Sequence, residues 1–202
     1  MRIIIFVLVF LSLAMAQPQP TKILFFGDSL TAGFGLPTPT LAFPNQMEIE
    51  LNKTSKKVKV INSGLSGETS AGGLARIDWV LRQPIDVFVL ELGANDGLRG
   101  LPLDQTKNNL QAIVDKVKAK YPKAKIVLAG MMVPPNMGPA YSDQFKKVYP
   151  ALAEKNKCHL IPFLLDGVGG NEKLNQRDGI HPNEEGHQII AKNLAKFFEK
   201  II

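Results

Sequence analysis

The sequence predicts an α/β domain built on a five-stranded parallel sheet. Short apolar runs alternate five times with longer amphipathic ones, and each apolar run stops at glycine, serine, asparagine or proline. No repeat, low-complexity tract or linker divides residues 21–202. A chain of 202 residues, 45% hydrophobic and 21% charged, has room for one full core. Apolar strands regularly separated by helices bury both faces of a sheet only when helices cover each side.

The N-terminal segment MRIIIFVLVFLSLAMAQPQP stands outside that pattern. Arg2 gives a positive start, Ile3 to Leu13 an apolar stretch, and Ala14-Met15-Ala16 an A-x-A cleavage pattern. The stretch is shorter than the roughly 20 residues a spanning helix needs. Residues 1–16 are therefore expected to be a signal peptide and 17–202 a single domain, exported to the periplasm or secreted. The mature chain is mildly basic with scattered lysines, so it carries no nucleic-acid footprint. That charge allows a transient contact with an anionic membrane surface. The single Cys158 rules out an intramolecular disulfide.

The expected strands are Lys22–Phe26, Val58–Asn62, Asp86–Leu92, Lys125–Gly130 and His159–Ile161. The expected helices are Phe43–Lys53, Ala71–Arg82, Asp104–Lys120, Ser142–Lys155 and Glu184–Lys200. Ser70, Asp104 and Asn183 are their expected starts, since each can accept a hydrogen bond from a free helix N–H. In the last helix Ile189, Ile190, Leu194, Phe197 and Phe198 form an apolar stripe, with Lys192, Lys196 and Lys200 on another face. Ile77 and Trp79 are expected in the core.

Ligands of open parallel sheets sit beyond the carboxyl ends of the strands, and there this sequence keeps its unusual residues. FFGDSLTAG ends the first strand on Ser29. NSGLSGETS follows the second, with Gly67, and ELGAND follows the third, with Asn95. RDGIHPNEEGH near the C-terminus holds Asp178 and His181 three residues apart. A serine hydroxyl needs a carboxylate-oriented histidine to become a nucleophile, and an amide or a bare glycine N–H can stabilise an oxyanion. Each block alone could be an ordinary turn. Ser66 is a poorer candidate, because Glu68 replaces the last glycine of a G-x-S-x-G elbow. His181, Glu184, Glu185 and His187 lack H-E-x-x-H spacing, so no metal is expected, and His187 is read as a helix residue. No nucleotide-binding glycine motif occurs.

Together, GDS, SGETS, GAND and DGIHP, in that order, resemble the four blocks of the SGNH or GDSL hydrolase superfamily. GANDGLRG and DGIHPNEEGH are most similar to its bacterial exported arylesterase, acyl-CoA thioesterase I and lysophospholipase L1 group. The resemblance implies a flavodoxin-like three-layer α/β/α sandwich. It also implies Ser29 as nucleophile, His181 as general base and acid, and Asp178 as its orienter. The backbone N–H groups of Ser29 and Gly67 and the Asn95 amide would form the oxyanion hole. A monomer needing no cofactor, acting on a small acyl ester or lipid, is the resulting expectation. Leu98, Leu101, Val133 and Met137 are expected to line an acyl groove. A carbohydrate O-acetyl esterase and a non-catalytic lipid-binding protein are the alternatives; few aromatics near the site (Phe34, Tyr141) weigh against the first.

Overall fold

The computed structural model describes residues 19–202, so the expected signal peptide at 1–16 lies outside the described residues. The five strands are β1 (Thr21–Gly27), β2 (Val58–Gly64), β3 (Val87–Glu91), β4 (Lys125–Ala129) and β5 (His159–Ile161). They pair in parallel in the order β2-β1-β3-β4-β5. Successive connections leave β1 toward one edge and then run back across the sheet. One face therefore carries α2 (Phe43–Asn52) and α8 (Glu184–Phe198), which pack on each other. The other carries α3 (Ser70–Val80), α5 (Leu103–Lys120) and α7 (Val148–Asn156), with α5 touching both neighbours. This is the expected three-layer sandwich.

Alternation along β1 sends its side chains to both layers. Phe25 meets Phe43 of α2 edge-on at 5.7 Å and Phe198 of α8 at 6.0 Å. Phe26 points the other way, 5.8 Å from Phe88 and beneath the Arg76 guanidinium of α3. All five rings are fully buried, and each contributes about 1.5–3 kcal/mol by leaving water. The helices bury the faces their periodicity dictates. Leu103, Leu110, Ile113, Val114 and Val117 line the inner face of α5, and Ile190, Leu194 and Phe198 that of α8. Lys192, Lys196 and Lys200 are exposed, as expected.

Several expectations change. The helix expected over Ser142–Lys155 is two: α6 (Pro139–Lys146) and α7, with a break at Lys147. Pro150 lacks the N–H that would bond Lys146 and its ring crowds that carbonyl, so one continuous helix cannot form. Thr69 rather than Ser70 caps α3, accepting from the Gly72 N–H. Pro102 precedes α5 and Asp104 lies inside its first turn. Asn183 caps α8 as expected. Ile77 is buried, but Trp79 is 66% exposed, since two residues along a helix turn it away from the face Ile77 packs. Two short helices were not anticipated: α1 (Ser29–Ala32) after β1, and α4 (Ala94–Leu98) after β3. Both sit at the carboxyl edge, where the sequence blocks lie. Among the described residues no helix is long and apolar enough to cross a membrane.

Candidate active site

β1 ends at Gly27, and the chain turns through Asp28 into α1, whose first residue is Ser29. The Asp28 carboxylate accepts the Leu30 N–H at 3.0 Å and caps the turn. Across the cleft, the loop before α8 is knotted by Asp178. Its Oδ1 accepts the backbone N–H of Ile180 at 2.9 Å and of His181 at 3.0 Å. Its Oδ2 lies 2.7 Å from His181 Nδ1. That leaves Nε2 directed outward, 3.0 Å from Ser29 Oγ. Residues 152 positions apart are thus joined in one hydrogen-bonded chain from carboxylate to imidazole to hydroxyl. The Phe34 ring leans against the imidazole at 4.7 Å, and Gln176 ties the two loops by donating to the carbonyls of Phe34 and Pro182.

Asn95, on α4, lines the same cavity. Its Nδ2 donates to Asp28 Oδ2 and to the Glu68 carbonyl, each at 3.1 Å. Gly67 lies outside the cavity lining, one residue before that carbonyl. It is left-handed at φ 79°, where a side chain would be strained, and its N–H has no partner among the described residues. Two buried links hold these donors' loops together. Asp96 accepts from the Ser70 N–H at 2.8 Å, the Ser70 hydroxyl at 2.5 Å and the Thr106 hydroxyl at 3.2 Å. Arg76 pairs with buried Glu68.

The two carboxyls flanking Ser29 and His181 respond oppositely to their surroundings. Burial pushes Asp28 up to about 6, against the hydrogen bonds from Leu30 and Asn95. Asp178 is also raised by burial, but the His181 N–H, its ring and the Ile180 N–H outweigh that and hold it at about 2. His187 is buried on α8, where its Nδ1 accepts the Phe43 N–H at 3.1 Å, and burial lowers it to about 4.

A cavity of about 530 Å³ opens beside Ser29. Of the expected groove residues, Leu98 and Val133 line it, with Met131, Met132, Phe163 and Ile180. Leu101 and Met137 do not: the Leu101 carbonyl accepts the Tyr141 hydroxyl, and Met137 Cε packs over Gly100. Met131 and Phe163 lie two residues beyond the ends of β4 and β5, a strand-end position that was a usable signal. Asp28 and Asp96 were visible as acids within the blocks, but nothing local marked their burial.

A parallel three-layer sandwich with a hydroxyl, an imidazole and a carboxylate in hydrogen-bond series at its carboxyl edge, beside an apolar cavity, is the arrangement of a serine-type ester hydrolase. Residues 25–189 match the model of the GDSL-like lipase/acylhydrolase family, and the chain belongs to that family. It is 40% identical to the esterase TesA of Pseudomonas aeruginosa over 185 residues, 91% of this chain and 90% of that protein. It is 37% identical to the thioesterase 1/protease 1/lysophospholipase L1 of Escherichia coli K12, covering 89% and 84%. A crystal structure of TesA superposes with a TM-score of 0.84 at 37% identity, covering 90% of this chain and all of that one.

Proposed function

We propose that the protein is an exported esterase that cleaves aryl or short- to medium-chain acyl esters, thioesters and lysophospholipids through Ser29. The observation that carries this reading is the series Asp178–His181–Ser29, with contacts of 2.7 and 3.0 Å beside the apolar cavity. His181 Nε2 takes the Ser29 proton as Oγ attacks the acyl carbon, and the tetrahedral oxyanion forms. The C–O or C–S bond then breaks, and His181 gives that proton to the leaving alcohol or thiol. Water, deprotonated by His181, attacks the acyl-serine, and Ser29 leaves with the proton. Asp178 keeps the imidazole in the tautomer that presents a bare Nε2. The Ser29 and Gly67 N–H groups and Asn95 receive the oxyanion. Asn95 does so by sharing an N–H now spent on Asp28 or Glu68, and each donor contributes about 2.7–4 kcal/mol. Export is supported by the charged start, apolar stretch and A-x-A pattern of residues 1–16.

The test is fluorophosphonate labelling of wild type and Ser29→Ala, with an ester panel of increasing acyl length. Labelling vanishes in Ser29→Ala and kcat falls about 10⁶-fold, as when a serine nucleophile is removed. Labelling that survives refutes the nucleophile.

A further inference from the structure

Strand β3 carries one residue that a central parallel strand ordinarily rejects. Glu91 closes the run VFVLE and is completely buried. Its backbone pairs with Gly27 in the β1–β3 register, and its carboxyl folds back over that glycine. A Cβ at residue 27 would collide with Glu91 Oε2, with Thr31 Oγ1 and with the Glu91 carbonyl. The glycine before Asp28 is thus the space the carboxyl fills.

The two oxygens of that carboxyl are treated unequally. Oε2 accepts the Asp28 N–H at 3.2 Å and the Thr31 hydroxyl at 2.7 Å. Oε1 is buried with no hydrogen-bond partner among the described residues. No lysine, arginine or histidine among the described residues pairs with the group. A charge so placed would be stripped of water with two neutral donors on one oxygen and no counter-charge in exchange, so the group keeps its proton. Because Oε2 acts as acceptor twice, the proton belongs on Oε1. Burial, and then the adjacent Asp28 carboxyl, push its pKa well above the usual carboxylate range.

The acceptor oxygen grips the turn one residue before Ser29 and one residue into α1 beyond Leu30. Beyond the strand the chain continues through Leu92 and Gly93 to Asn95, which donates to the Asp28 side chain at 3.1 Å. We propose that Glu91, as a neutral carboxylic acid, is a positioning residue that sets the Ser29 hydroxyl and N–H against the Asn95 amide. The proposal rests on Ser29 being the nucleophile. Glu91 touches no substrate; it acts through the backbone of Asp28 and the Thr31 hydroxyl.

Three measurements on Glu91→Gln, Glu91→Met and Thr31→Val test it: the fluorophosphonate labelling rate of Ser29, kcat and KM on p-nitrophenyl butyrate, and infrared spectra. A glutamine oxygen can accept the same two donors, so Glu91→Gln labels within about threefold of wild type. Glu91→Met has similar bulk and no acceptor, so it labels about 10- to 100-fold more slowly, with kcat lowered and KM nearly unchanged. Thr31→Val falls between them. The wild-type minus Glu91→Gln infrared difference at pH 8 shows the carbonyl band of a protonated acid. A carboxylate band instead, or Glu91→Gln as slow as Glu91→Met, overturns the neutral acid. Wild-type labelling in both Glu91→Met and Thr31→Val overturns the positioning role. Should Glu91→Met not fold, wild-type labelling in Thr31→Val alone overturns it. Labelling that persists in Ser29→Ala refutes the nucleophile instead, so the two failures are distinct.

Discussion

The turn that carries Ser29 and the loop that carries His181 meet at 3.0 Å, yet they are built by opposite means. The Ser29 turn is interior: Asp28, Ser29, Thr31 and Glu91 are all buried, and its bonds run among acids and hydroxyls hidden from water. The His181 loop is open, and Asp178 fixes it while its side chain stays 39% exposed. Burial raises one carboxyl and hydrogen bonding lowers the other. The difference teaches where stability and chemistry coincide. At the turn, any change touches the core; at the loop, chemistry can be lost while the fold survives.

The sharpest way to exploit that contrast is Asp178→Asn. It leaves packing intact but removes the carboxylate that sets the imidazole tautomer, so kcat falls by about 10⁴-fold. The melting temperature moves little. A large drop in melting temperature together with activity would show that the open loop is structural after all.

Gly27→Ala attacks the other side. The new methyl meets the Glu91 carbonyl at 2.7 Å, and backbone cannot retreat as a flexible side chain does. Destabilisation of about 3 kcal/mol follows, with slowed phosphonate labelling, because the same collision moves Asp28. Urea denaturation and labelling should fail together; a loss in only one would break the coincidence argued for this turn.

A third test sets Asp28 against His187, two buried groups whose titrations oppose. Asp28 is raised from 3.8 to about 6, so the folded state binds more protons than the unfolded chain, and stability falls as pH rises through that window. His187 is lowered from 6.5 to about 4, so stability is complete above 6.5 and is lost as pH falls toward 4. Each effect is on the order of 3 kcal/mol, and between pH 4 and 6 they offset. In His187→Asn the amide oxygen can still accept the Phe43 N–H, but the histidine's titration is gone. Glu91 also holds its proton in the folded chain, so it adds to the fall in both proteins. Denaturation curves of the variant should therefore show stability falling more steeply from pH 4 to 6 than in wild type, and a level variant would mean that neither Asp28 nor Glu91 is raised.

The smallest effect belongs far from both regions. Trp79→Ser removes a large side chain that is mostly in water, so stability should change by no more than about 0.5 kcal/mol. A larger loss in thermal denaturation would return Trp79 to the core.

Much of this molecule could be read before any coordinates. Five apolar runs set five strands to within a residue or two, because alternation between buried strand and amphipathic helix is a local pattern. Ser29 and Asn95 stood out by residue type at strand ends, and Asp178 and His181 in the last loop, and membership of the acylhydrolase family agrees with the enzyme class those blocks implied. The break between α6 and α7 also lay in the local sequence, since Pro150 acts on its own neighbours, although one helix was expected across it. The rest depended on residues brought together from far apart. That Leu98 and Val133 line the cavity while Leu101 and Met137 pack elsewhere is decided by how two loops fold back. That Trp79 faces water is decided by which side of α3 meets the sheet. The largest gap lies under the nucleophile turn. One letter, Glu91, was visible as an acid in an apolar strand. Its burial, its grip on Asp28 and Thr31 some sixty positions earlier, and its fit over Gly27 came only with the sheet. The chain encodes what each residue can do; the register of β1 on β3 decides which partners, and how little water, each carboxyl receives.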